Sequence, residues 1–146
     1  MRYIYLLASI LFFSACTLDQ QKQNQDEVII KQIVSVYDAD TFRAALKDWL
    51  EYLGNDVGIR IRGIDAPEIR GKCPQEKTDA IKARDYVRQR LANADHIRLE
   101  NIETGKYFRL VADVYVDGHN LAETLVQLHY ARPYDGGQRK GWCPIS

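Results

Sequence analysis

A chain of 146 residues is long enough for a single domain with a core of its own. Hydrophobic residues make up 46% and charged residues 27%, the balance of a soluble globular domain. Basic and acidic residues number 20 each, so the chain lacks the basic excess of a high-affinity nucleic-acid binder, although transient contact at one local basic site stays open.

Met1-Arg2 opens the chain with a positive charge, and Tyr3 to Phe13 is an apolar run too short to span a bilayer as a stable helix. Small Ser14-Ala15 and then Cys16 follow. This is a secretory signal over residues 1–15, and it resembles a bacterial lipoprotein signal with Cys16 as the lipidated first residue. An ordinary signal peptide cleaved nearby is the alternative. The expectation is an exported protein, held in the bacterial envelope through a lipid on Cys16 or secreted. Thr17 after the cysteine points to the outer membrane, at its periplasmic face. Residues 16–27 are polar and glutamine-rich, which predicts a flexible tether, and the folded domain is expected over 28–146. With Cys16 lipidated, Cys73 and Cys143 remain as a pair, and export predicts a disulfide between them; a metal or redox pair lacks a second cysteine at motif spacing.

Val28-Ile29-Ile30 and Ile33 to Val36 are β-branched and strand-like, Asp38-Ala39-Asp40 is a turn, and Thr41 to Leu46 returns as a second strand. Lys47 to Asp56 reads as an extended hairpin or a short helical turn. Ile59, Ile61 and Ile64 alternate with Arg60 and Arg62, predicting a third strand that runs to Ile64 and stops at Asp65-Ala66-Pro67-Glu68, where proline forbids further ladder pairing. Pro74 suits a helix first turn, and Ala80, Ala83, Val87 and Leu91 share one face of a helix from Gln75 to about Leu91. Its lysines and arginines read as a solvated face. His96 to Glu100 and Tyr107 to Val116 are strand patterns. Asn120 and Glu123 form a capping box ahead of a helix striped by Leu121, Leu125 and Leu128, and the tail from Pro133 to Cys143 is irregular. Composition and pattern alone give an α+β domain.

Two acidic strand ends, Asp38–Thr41 and Asp65–Glu68, occur with Arg60 and with Lys106-Tyr107-Phe108-Arg109. Carboxylate oxygens suit a hard cation and arginine forks grip phosphate. In this order, from about Val34 to Ala131, these pieces resemble the staphylococcal nuclease (thermonuclease) family. The resemblance implies a five-stranded OB-type Greek-key barrel with flanking helices. It implies a calcium-dependent nuclease, expected to act as a monomer, that cuts DNA and RNA at the bond to the 5′ oxygen and leaves 3′-phosphates. Asp40 and Asp65 match the calcium-binding carboxylates, Ala66 a backbone carbonyl ligand, and Thr41 a hydroxyl that positions the metal shell. Glu68 matches the residue that accepts a proton from, or orients, the attacking water. Arg60 and Arg109 match the phosphate-gripping arginines, and Lys106 and Tyr107 match contacts to the nucleotide.

Taken singly, each piece has a plainer reading: aspartate turns cap backbone amides, and exposed arginines form salt bridges. Their joint order favours the nuclease site. Gly105 and Phe108 depart from the family's residues, and Phe108 is expected to narrow its side of the pocket. His129 stands where the family prefers glycine at a helix end, and Tyr134 lies near a nucleotide-stacking tyrosine position. His96, His119 and His129 sit on separate elements and give no zinc spacing. The alternative is a non-catalytic nucleic-acid-binding or envelope module on the same barrel; a metal-binding protein without hydrolase activity explains the carboxylates but not the arginines.

Overall fold

The computed structural model describes residues 27–49 and 51–144. The signal segment, Cys16 and the tether up to residue 26 lie outside the described residues. The β-branched run folds as one long strand, β1 (Val28–Asp38), which turns at Ala39-Asp40 into β2 (Thr41–Leu46). A one-turn helix α1 (Glu51–Gly54), the short helical alternative for this stretch, leads into β3 (Val57–Ile61). Then come β4 (Ile64–Asp65), α2 (Pro74–Ala92), β5 (Ile97–Thr104), β6 (Arg109–Val116), β7 (His119–Asn120), α3 (Leu121–Gln127) and β8 (Arg132–Pro133).

Strands β3, β2, β1, β5 and β6 pair in that order, and a parallel β3–β6 pairing closes the circuit into a five-stranded barrel. This is the expected α+β OB-type architecture. Each of these five strands thus has a partner strand on both sides. Phe42, Ile59, Ile61, Leu99, Val114 and Val116 fill the interior. Each such side chain contributes on the order of 1.5–3 kcal/mol by leaving water. Helix α2 packs on β1 through Ala80, Ala83, Val87 and Leu91, the face its spacing predicts. Helix α3 lies on β6 and buries Leu121 and Leu125, and the Asn120 side chain accepts a hydrogen bond from the Glu123 amide at 3.2 Å.

Several boundaries differ from the pattern reading. The third strand does not run to Ile64: it ends at Ile61, and Gly63 turns the chain with φ +77° before β4. Ile64 follows Ile61 by three positions, so it cannot share a pleat with Ile59 and Ile61. Lys106–Phe108 is a single helical turn ahead of β6, not the strand's beginning. Leu128 falls past the end of α3 and is exposed, and His129 ends the helix in the left-handed region, with φ +58°. The tail is not wholly irregular, since β8 pairs with β4 and sets Asp65 opposite Arg132.

Candidate active site

The β1–β2 turn and the exit of β4 meet at one corner of the barrel. Asp40, in the turn, is buried. Its Oδ2 accepts the Ala66 amide at 2.9 Å, tying the two acidic segments together. Its Oδ1 accepts the Thr41 hydroxyl at 3.0 Å. Arg60, buried on β3, forms an ion pair with Asp40 Oδ2 and donates to the Ile64 carbonyl at 2.8 Å. Alternation alone does not put Arg60 inside, since all five residues of β3 are buried on both faces by strands and turn. A guanidinium is tolerated there because a carboxylate and backbone carbonyls take its protons.

Asp65 is 2% exposed and carries the densest set of partners. Its Oδ2 accepts from Arg132 Nε at 3.1 Å and Nη2 at 2.7 Å, and from the Trp142 indole at 3.1 Å. Its Oδ1 faces Arg139 Nε at 3.3 Å. Arg139 Nη1 also donates to Glu68 Oε1 at 2.6 Å, and Glu68 itself stands exposed at the rim. Burial draws the Arg139 guanidinium's pKa down, but Asp65, Asp40 and Glu68 outweigh it, and the net shift is upward.

The loop between Glu68 and α2 is laced down by two more carboxylates. Glu76, buried on the first turn of α2, accepts the Lys72 amide at 2.9 Å and the Glu68 amide at 3.5 Å. Asp38 accepts the Ile69 amide at 3.1 Å. Burial raises the Asp38 pKa against the pull of that bond, and the charges of Asp40 and Glu68 push the same way. A Cβ at Gly71 would stand 2.5 Å from the Glu76 side chain, so any larger residue here would have to displace that carboxylate from its place on the loop.

The expected disulfide joins Cys73 and Cys143 with Cα atoms 5.9 Å apart. It brings the tail back beside the acidic corner. A hollow of about 340 Å³ there is lined by Asp65, Ala66, Glu68, Arg139 and Trp142. On the other side of Arg139 runs a groove of about 750 Å³ lined by Arg60, Arg109, Lys106, Tyr107 and Tyr134. Asp40 lines neither and sits beneath.

Thus Asp40, Thr41, Arg60, Asp65, Ala66 and Glu68 converge, and Arg109, Lys106 and Tyr107 stand across the groove. Arg109 Nε is buried and has no hydrogen-bond partner, and its guanidinium lies 5.9 Å from the Tyr107 ring. Phe108 does not narrow the pocket: it lines no part of the groove and is fully exposed at the turn's tip, because φ of +61° and +54° at Tyr107 and Phe108 swings it outward. Pattern reading missed Arg132, Arg139 and Trp142. The one signal available was Cys143, whose bond to Cys73 obliges a basic, aromatic tail to land beside the acidic turn.

The donor set suits a hard cation. Asp40 and Asp65 offer buried anionic oxygens, with the Thr41 hydroxyl and the Ala66 backbone adjacent, and no soft ligand is among them. Among the described residues, three His, Cys, Asp or Glu donors lie within 4.8 Å of one another only at Cys73, Glu76 and Cys143. There both sulfurs are already spent in the disulfide. An ion at the Asp40–Asp65 corner would therefore complete its shell with backbone carbonyl and water, which calcium's loose oxygen geometry allows.

A closed five-stranded barrel whose rim carries clustered carboxylates and arginines is an OB-type barrel of the nuclease kind. Residues 58–141 match the family model of the staphylococcal nuclease homologues, and the chain belongs to that family. Asp40 and Thr41 precede the matched span. A search of the curated proteins finds no match.

Proposed function

We propose that this protein is a calcium-dependent phosphodiesterase that cleaves DNA and RNA at the bond to the 5′ oxygen, leaving 3′-phosphate ends. The observation that carries the reading is the meeting of buried Asp40 and Asp65 with rim-exposed Glu68 beside a groove lined by Arg60, Arg109 and Arg139. A phosphodiester repels nucleophiles by its charge and parts with a poor alkoxide, so a site must neutralise the phosphate and activate water. Asp40, Asp65 and the Ala66 carbonyl would hold calcium, which supplies electrophilic charge at the phosphoryl oxygens. Arg109, which lines the groove, binds the phosphate from across it. Arg60 keeps Asp40 oriented and lends positive charge to the groove floor. Glu68 accepts a proton from the attacking water, and Lys106 and Tyr107 contact the nucleotide.

Export and a lipid on Cys16 belong to the same proposal, supported by the N-terminal pattern and by a disulfide suited to an oxidising compartment. One observation favours the rival, a non-catalytic binding module: Asp65 is already neutralised by two arginines. Digestion of plasmid DNA and of RNA by the mature domain, with calcium, magnesium or chelator, tests the reading. Calcium-dependent cleavage is expected, and Glu68→Gln should lower turnover by roughly 10²–10⁴-fold while calcium still binds. Folded protein that binds nucleic acid and cuts none of it with calcium would establish the rival instead.

A further inference from the structure

Three guanidinium groups neutralise the acidic corner, and they are not held alike. Arg60 is buried and donates to a backbone carbonyl as well as pairing with Asp40. Arg132 is fastened by the Lys140 carbonyl, by the Gly141 carbonyl at 3.1 Å and by the Trp142 ring at 4.2 Å, and its backbone pairs with Asp65. Arg139 has none of these backbone anchors. Its partners are Asp65 Oδ1 at 3.3 Å, Glu68 Oε1 at 2.6 Å and the Tyr134 ring at 5.8 Å, and its side chain is 41% exposed. It therefore gives up little fixed structure by leaving. It also lines both spaces at once, the hollow over Asp65 and the groove that holds Arg60 and Arg109.

Asp65 Oδ2 is filled by three donors, so Oδ1 is the oxygen this carboxylate has to offer a cation. Arg139 faces that oxygen. A divalent ion and a guanidinium cannot share one side of a carboxylate without strong repulsion. Glu68 has a matching problem, since a carboxylate oxygen occupied by a short charge-assisted bond is a poor proton acceptor.

We infer that Arg139 is an exchangeable countercharge, which holds Asp65 and Glu68 until a divalent cation takes Asp65 Oδ1 and then turns to the substrate phosphate in the adjoining groove. This rests on the calcium-site reading above and adds to it a substrate-positioning residue outside the acidic turns. The exchange has two chemical results. Cation binding frees Glu68 for water, so the base is ready only when the ion is in place. The released guanidinium joins Arg109 on the phosphate, where its planar fork suits two oxygens.

The test is calcium titration calorimetry without nucleic acid on the mature domain and on Arg139→Gln and Arg139→Lys. Removing the charge should tighten calcium binding roughly 5- to 50-fold, and less in high salt. Lysine keeps the charge and should leave the affinity within about two-fold of the parent, which separates charge competition from packing. At saturating calcium, Arg139→Gln should raise KM for single-stranded DNA about ten-fold, the loss of a charged phosphate contact. Equal calcium affinity in the parent and Arg139→Gln overturns the exchange and leaves the nuclease reading standing. Tightened calcium binding with unchanged KM overturns the phosphate half. Calcium binding by neither protein overturns the calcium site, and the exchange with it.

Discussion

The Asp40–Asp65 corner and the Lys106–Arg109 turn are built on opposite terms. At the corner, Asp40, Arg60 and Asp65 are each less than a tenth exposed, and every carboxylate is held by amides, hydroxyl, indole or guanidinium. At the turn, Tyr107 is 85% exposed and Phe108 wholly so, on backbone in the left-handed region that bulky side chains avoid. A cation needs oxygens that do not move, which burial and over-determined bonding provide. A flexible polynucleotide needs surfaces that reach outward and tolerate many partners, and exposed rings do this through stacking. Strain at such a position is kept because the surrounding hairpin over-determines it: the Gly105 amide donates to the Arg109 carbonyl at 2.8 Å, closing the turn.

If the corner is rigid because its charges are buried in pairs, removing one partner should be the costliest change. Arg60→Gln leaves Asp40 buried without its cation and should destabilise the fold by about 3–5 kcal/mol. Urea unfolding at neutral pH measures this, and a loss below about 1 kcal/mol would show the corner to be wetter than its burial implies.

The second break is covalent. The disulfide closes a loop with a sequence separation of 70, and Cys73→Ser with Cys143→Ser should cost about 2–4 kcal/mol. Because the tail carries Arg132, Arg139 and Trp142 to Asp65, the same variant should alter calcium affinity more than any change in the Lys106–Arg109 turn. Thermal unfolding and calcium calorimetry on one preparation check both parts.

The turn should answer differently. Tyr107→Ala should raise KM for single-stranded DNA by roughly 5- to 100-fold, as expected for one lost stacking contact, with turnover at saturation little changed. A large fall in turnover with constant KM would place Tyr107 in the chemistry instead. The smallest effect should be a gain: Phe108→Gly relieves a left-handed backbone at a fully exposed residue that lines neither the hollow nor the groove. It should stabilise the fold by roughly 0.5–1 kcal/mol after glycine's own entropy cost. Calcium affinity should stay as in the parent, and destabilisation would mean that the Phe108 ring packs in solution.

From residue types and their order, the barrel strands, the long helix and its buried face, the capped second helix and the cysteine pairing were all legible. Each of these is a local property: β-branched runs, apolar residues at helical spacing, an asparagine ahead of a helix, two cysteines left to pair. The acidic turns were legible for the same reason, because the Asp38-Ala39-Asp40 run favours a turn and Pro67 stops ladder pairing just after Asp65. Tertiary structure alone decided what those charges do to one another. Arg60 lies inside because β3 is covered on both faces, which no alternation in its own five residues records. Arg132 and Arg139 reach Asp65 across separations that only the β4–β8 pairing and the disulfide close. Gly63 ends β3 early because a positive φ redirects the chain, whereas the isoleucine pattern runs on without it. Charge pairing in a folded corner depends on distances through space, and the linear order of residues carries those distances only where the backbone is regular.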